Sequence, residues 1–230
     1  MPRHIGIVAC SAEGAALCYR TIAIEGFRLM GEHDHPEVTL DSIPMARHMA
    51  CIRRGDWSGV ADLMVESARR VAAAGADFAI CPDNTIHQAF DRVRSASPIP
   101  WLHIAEVVAE EARDRGFRCV GILGTKYLME GPVYPEALEK RGMRWRIPAA
   151  ADREWINQTI FRELVNAVFT EEARARFDRV MESLKDDGCD AAALACTEIP
   201  LLVRPETAPL PTLDSTRLLA RAAVRRALEP

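Results

Sequence analysis

Short, continuously apolar runs alternate along this chain with longer segments whose apolar residues recur every three or four positions. In the first half, residues 4–9, 37–42 and 78–81 read as strands, and residues 12–30 and 57–74 as helices. The second half repeats the order, with strands at 120–124, 143–147 and 191–195, a helix at 133–141, and a helical stretch over 154–185 that breaks near Phe169. Alternation of this kind builds βαβ units, in which a mostly parallel sheet is covered by helices. An Arg-rich amphipathic helix over 215–228 ends the pattern.

The halves share more than rhythm. Gly6-Ile7-Val8-Ala9 resembles Gly121-Ile122-Leu123-Gly124, and Gly75-Ala76-Asp77-Phe78-Ala79 resembles Gly188-Cys189-Asp190-Ala191-Ala192. The spacing between the paired segments agrees to within two residues, as expected of a duplicated unit of about 100 residues. The expectation is therefore an α/β protein of two similar parallel-sheet domains related by pseudo-two-fold symmetry. Residues 1–98 form the first, with the helix of 213–230 packing back on it, and residues 99–212 form the second. The proline-containing segment 97–101 is the expected linker. Ligands of parallel sheets sit beyond the carboxyl ends of the strands, so two such domains facing one another would enclose a site at their interface.

Composition narrows the partners. With 230 residues, 49% of them hydrophobic, the chain can bury cores for two small domains. Net charge is -4, and the arginines are scattered among acids, which argues against nucleic acid as a partner. No apolar run reaches the roughly 18 residues of a membrane span, and the N-terminus enters a strand without a signal-peptide pattern, so a cytoplasmic location is expected. Seven cysteines without paired spacing fit neither a disulfide framework nor a zinc site, so no metal is expected. Every histidine lies at or before position 103, excluding a triad that draws a histidine from the later half. Lys126, Lys140 and Lys185 stand in no pyridoxal phosphate motif, and no organic cofactor is expected.

The repeat puts two ionisable residues in equivalent places. Cys196 lies eight residues after Gly188, and Asp83 eight after Gly75. Polar residues follow each: Asn84 and Thr85 after Asp83, Thr197 and Glu198 after Cys196. The turns after the first strand of each half carry Ser11 and Thr125. Backbone N–H groups at such turns, with Ser, Thr and Asn beside them, suit a carboxylate ligand. Two acid/base groups on opposite sides of a carbon are what inversion requires, since one proton leaves one face as another arrives on the other. A cysteine at the end of a buried strand is also an ordinary structural residue, and Asp, Asn and Thr after a strand are ordinary turn and cap residues. At this level both readings stand.

Leu194-Ala195-Cys196-Thr197-Glu198-Ile199 resembles the second cysteine signature of the aspartate/glutamate racemase family, and Asn84-Thr85-Ile86-His87 resembles the segment after its first cysteine. The resemblance extends through Arg53-Arg54-Gly55-Asp56-Trp57, Leu102-His103-Ile104-Ala105, Ile156-Asn157-Gln158 and Leu213-Asp214-Ser215-Thr216. It implies paired α/β domains, cofactor-independent α-proton transfer on aspartate or glutamate, and a homodimer. It also implies that Ser11, Asn84, Thr85, Thr125 and Thr197 hold the substrate carboxylate, with Arg47 a weaker candidate for a side-chain carboxylate. One departure stands out. Where the family carries its first cysteine, this chain has Pro82 and Asp83, with Cys81 one place earlier, so Asp83 ranks above Cys81 as the residue opposite Cys196. Two alternatives remain: a single-cysteine decarboxylase or isomerase of a small dicarboxylic acid, and a catalytically silent small-acid binding protein. Glu198 either hydrogen-bonds near Cys196 or serves as a first-turn helix carboxylate.

Overall fold

A computed structural model describes residues 1–229. The chain divides into two compact units: Met1–Ile104 together with the residues from Thr216 onward, and Ala105–Ser215.

In the first unit, β1 (Ile5–Ala9) leads into α1 (Ala12–Met30), β2 (Val38–Ser42), α2 (Met45–Ile52), α3 (Trp57–Ala73) and β3 (Phe78–Ile80). A 3-10 turn (Thr85–Ala89) then runs into α4 (Phe90–Ala96) and β4 (Trp101–Leu102). All pairings are parallel, in the order β2-β1-β3-β4. The second unit begins in α5 (Ile104–Asp114) and continues with β5 (Cys119–Leu123), α6 (Lys126–Met129), α7 (Val133–Glu139), β6 (Arg144–Arg146) and α8 (Ala150–Arg162). After a 3-10 turn (Leu164–Asn166) come α9 (Glu171–Asp186), β7 (Ala191–Leu194), α10 (Ile199–Leu202) and β8 (Thr212–Asp214), in a parallel sheet of order β6-β5-β7-β8. The last helix, α11 (Ser215–Leu228), returns to the first unit, where Arg3 N donates to the Ala227 carbonyl and the Arg226 guanidinium lies over the Phe78 ring.

The repeat read from sequence has a structural cause at each of its residues. Gly6 and Gly121 are where the covering helix comes closest to the sheet: a Cβ would lie 2.7 Å from Val71 of α3 at the first, and 2.8 Å from Leu184 of α9 at the second. Gly75 and Gly188 follow the ends of α3 and α9 with φ of 98° and 86°, which glycine adopts without the Cβ penalty. Asp77 and Asp190 then tie the amino ends of the central strands. Asp77 Oδ2 accepts from His4 N at 2.7 Å, and Asp190 accepts from the Arg118 and Cys119 amides.

The boundaries differ from the sequence reading. The 97–101 segment is not a linker, because Ala79 N donates to the Pro100 carbonyl and Trp101–Leu102 pairs with β3. The first crossing therefore falls after Ile104. Residues 213 and 214 belong to β8 and pair with Ala193 and Leu194, so the second crossing follows Ser215. Each unit has its own core: Val8, Met64, Val71, Ala79 and Cys81 in the first, Ile122, Phe177, Met181 and Leu213 in the second. No helix among the described residues is long and apolar enough to cross a membrane.

Candidate active site

In both sheets the strand order reverses direction at the central pair, β1 with β3 and β5 with β7. This is the switch point at which loops leaving the carboxyl ends part and leave a crevice. In the first unit those loops carry Ser11 and the run Cys81 to Thr85; in the second, Thr125 and the run Cys196 to Glu198. The topology thus gathers Ser11, Asp83, Asn84 and Thr85 at one end of the first sheet, and Thr125, Cys196, Thr197 and Glu198 at the equivalent end of the second.

Ser11 caps α1, its Oγ accepting from Gly14 N at 3.2 Å, and Thr125 caps α6 by accepting from Leu128 N at 3.2 Å. These hydroxyls satisfy amides that a helix start leaves open. Asp83 Oδ1 accepts from Ile86 N at 3.2 Å and so caps the 3-10 turn, while its residue is only partly buried. Asn84 and Thr85 are buried. Cys81, by contrast, is fully buried among Val8, Ala79 and Ile86, and burial together with the neighbouring Asp83 charge pushes its thiol well above the ordinary range. A core thiol of that kind is poorly ionised and poorly placed to meet a ligand.

His87 fixes the Asp83 loop. Its Nδ1 lies 2.6 Å from the Asp83 carbonyl, which can only accept, so Nδ1 carries the hydrogen and Nε2 accepts from Ile104 N at 3.4 Å. Burial lowers its pKa to about 4, and the ring is neutral at pH 7. Stacked on Phe90 and edge-on to His103, it is a packed connector between the Asp83 loop and the start of α5.

In the second unit the end of β7 is held from two sides. Ala195 N donates to the Leu123 carbonyl at 2.7 Å, and Ser215 Oγ donates to the Leu194 carbonyl at 3.0 Å. Tyr134 of α7, fully buried and hydrogen-bonded to Ser215, supports that corner; the sequence drew no attention to it. Cys196 is then 9% exposed, and its thiol donates to Glu198 Oε2 at 3.0 Å. Arg47 belongs to the first unit. It lies on α2, half exposed, and pairs with Glu66 at 3.4 Å.

Two units of one parallel topology, each presenting hydroxyl, amide and acid/base side chains at its central strand ends, define an α/β fold of the racemase type. The description Asp/Glu/Hydantoin racemase matches residues 7–223, and the chain belongs to that family. Membership makes it an enzyme of the racemase type. It is 22% identical over 199 residues to the broad specificity amino-acid racemase RacX of Bacillus subtilis, covering 83% of this chain and 82% of that protein. Among solved structures, a candidate Asp/Glu racemase from Yersinia pestis is 31% identical, with a TM-score of 0.90 over 99% of this chain and 100% of its own. An aspartate racemase homologue from Pyrococcus horikoshii OT3 is 26% identical, with a TM-score of 0.86 over the whole of both chains.

Proposed function

We propose that this enzyme interconverts the enantiomers of a small acidic amino acid, aspartate or glutamate, by α-proton transfer without an organic cofactor. Cys196 is one acid/base and Asp83 the other. The observation that carries this reading is their equivalence: each follows the third strand of the same four-stranded topology, with buried Asn, Thr or Glu side chains next in the chain. In turnover, one group takes the α-hydrogen as a proton, the electron pair delocalises into the substrate carboxylate, and the other group delivers a proton to the opposite face. Ser11, Asn84, Thr85, Thr125 and Thr197, with turn amides, stabilise the carboxylate on which that charge develops. Arg47 is the candidate partner for the distal carboxylate.

The test is α-hydrogen exchange in deuterium oxide with both enantiomers of aspartate and glutamate. Wild type and Cys81→Ser should exchange with inversion, whereas Cys196→Ser and Asp83→Asn should lose inversion. Absence of exchange in the wild type with all four substrates would overturn the reading. A second reading has its own support, because the Asp83 carboxyl caps the turn at Ile86. There Cys196 works alone on one face, in decarboxylation or isomerisation of a small dicarboxylic acid, and Asp83→Asn keeps turnover.

The enzyme is further read as a cytoplasmic homodimer. The outward side of α1 supports the dimer: Tyr19, Ile24 and Phe27 are 45%, 43% and 48% exposed, on a helix that already buries Cys18 and Ile22 inward. Leu40 of the edge strand β2, in register with Ile7, adds apolar surface on the same face of the sheet. Large apolar side chains left exposed together on one side of a helix are ordinarily covered by a partner.

A further inference from the structure

Glu198 is the group at the second switch point that the chemistry above leaves without a role. It is 3% exposed and stands at the N-cap position of α10, yet its side chain makes no capping hydrogen bond. The carboxyl group turns back instead to the Cys196 thiol, which donates to Oε2 at 3.0 Å. A buried carboxyl group loses its hydration and requires a partner, so this contact is part of what holds both side chains in place.

We infer that Glu198 is a positioning residue that keeps Cys196 protonated in the resting enzyme, making the thiol the proton donor and leaving Asp83 as the acceptor. This rests on the reading of Cys196 as an acid/base. Two effects act together: the hydrogen bond stabilises the thiol form, and a carboxylate at that distance opposes a thiolate. Other charged or titratable groups on the surrounding elements have partners of their own. Lys126 of α6 pairs with Glu154, Arg174 of α9 with Glu171 and the Leu202 carbonyl, and Tyr134 of α7 bonds Ser215. Asp214, at the end of β8 and in register with Leu194, acts on the Tyr134 hydroxyl.

From that resting state the substrate Cα–H bond breaks, its proton passes to the Asp83 carboxylate, and the electron pair remains on the substrate. The Cys196 S–H bond then breaks, the pair forms a new C–H bond on the opposite face, and a thiolate remains. Solvent removes the proton from Asp83 and returns one to Cys196. The reverse substrate needs protonated Asp83 and a Cys196 thiolate, the form that Glu198 disfavours. Because the two enantiomers are equal in energy, kcat/KM is the same for both, and the asymmetry falls on kcat and KM in equal proportion.

The test follows Cys196 alkylation by iodoacetamide against pH in the intact chain, read on the peptide carrying Cys196 by mass spectrometry. Replacing Glu198 by Gln removes the charge and supplies an amide that donates to a thiolate. The alkylation midpoint should fall by about one to two pH units, with roughly tenfold faster alkylation at pH 7 for each unit. Glu198→Asp should lie between the two. An unchanged or raised midpoint overturns the inference. Should Glu198→Gln not fold, the wild type alone decides: an S–H infrared band at pH 7, absent from Cys196→Ser and lowered in frequency by donation to a carboxyl oxygen, supports the inference, and a missing band or one at the free-thiol frequency refutes it. Neither measurement uses substrate. A shifted midpoint without α-hydrogen exchange therefore overturns the racemase reading alone, and exchange without a shift overturns only the role of Glu198.

Discussion

Gly124 is where a single methyl group would test how closely the two central strands of the second unit fix Cys196. It follows β5, and a Cβ there would meet the Ala195 carbonyl oxygen at 2.8 Å and Leu128 Cδ2 at 2.7 Å. The leucine methyl can swing aside, but the carbonyl belongs to the backbone that leads directly into Cys196. Overpacking of this kind costs about 1–3 kcal/mol, and alanine returns about 0.5–1 kcal/mol through the lower entropy of its unfolded chain. Gly124→Ala should therefore lose a net of up to about 2.5 kcal/mol in urea unfolding. The displaced β7 end should also move the thiol, and a misplacement near 1 Å can slow a reaction about 100-fold. Gly142→Ala is the control: φ is 71°, nothing lies within 4 Å, and the strain is confined to a turn after α7. That variant should be destabilised with α-hydrogen exchange unchanged. If Gly124→Ala matches wild type in urea midpoint and in Cys196 alkylation, the close approach does not fix the thiol and the reasoning fails.

Two further outcomes are expected. His48 is buried with no hydrogen-bond partner at either ring nitrogen, and burial followed by the Arg47 charge lowers its pKa from 6.5 to about 4. Between those values the unfolded chain binds a proton that the folded chain does not, so stability falls as pH is lowered through this window and the dependence ends below pH 4. His48 accounts for about 2–3 kcal/mol of the loss between pH 7.5 and 4.5. His48→Leu should flatten the unfolding profile by that amount, and an equally steep profile would exclude the assignment. The dimer surface predicts that wild type elutes with twice the chain mass by light scattering and that Phe27→Glu elutes as a monomer; a monomeric wild type at tens of micromolar contradicts it.

Much of this protein is legible locally. Ser11 before an apolar-periodic stretch gives α1 its start, and its bounds, like those of α11, agree with the sequence pattern because caps and helical period act within a few residues. The paired glycines and aspartates mark the duplication because each has a backbone task that few residues perform. Other features exist only through partners far along the chain. Trp101–Leu102 is a strand because β3 lies beside it, and residues 212–214 because β7 does; two or three residues carry no period of their own. The α2 helix escaped notice because its eight residues are too few for the period to stand out, and its His48 lies buried among neighbours that only packing supplies. The order Cys81-Pro82-Asp83 left two candidates, and packing put the thiol in the core and the carboxyl group in the partly exposed turn. At Cys196 the sequence supplied the acid two residues on, but either a helix cap or a thiol contact fitted that spacing. The direction of the Glu198 side chain, set by the turn into α10 and by burial of its neighbours, was decided by the tertiary structure.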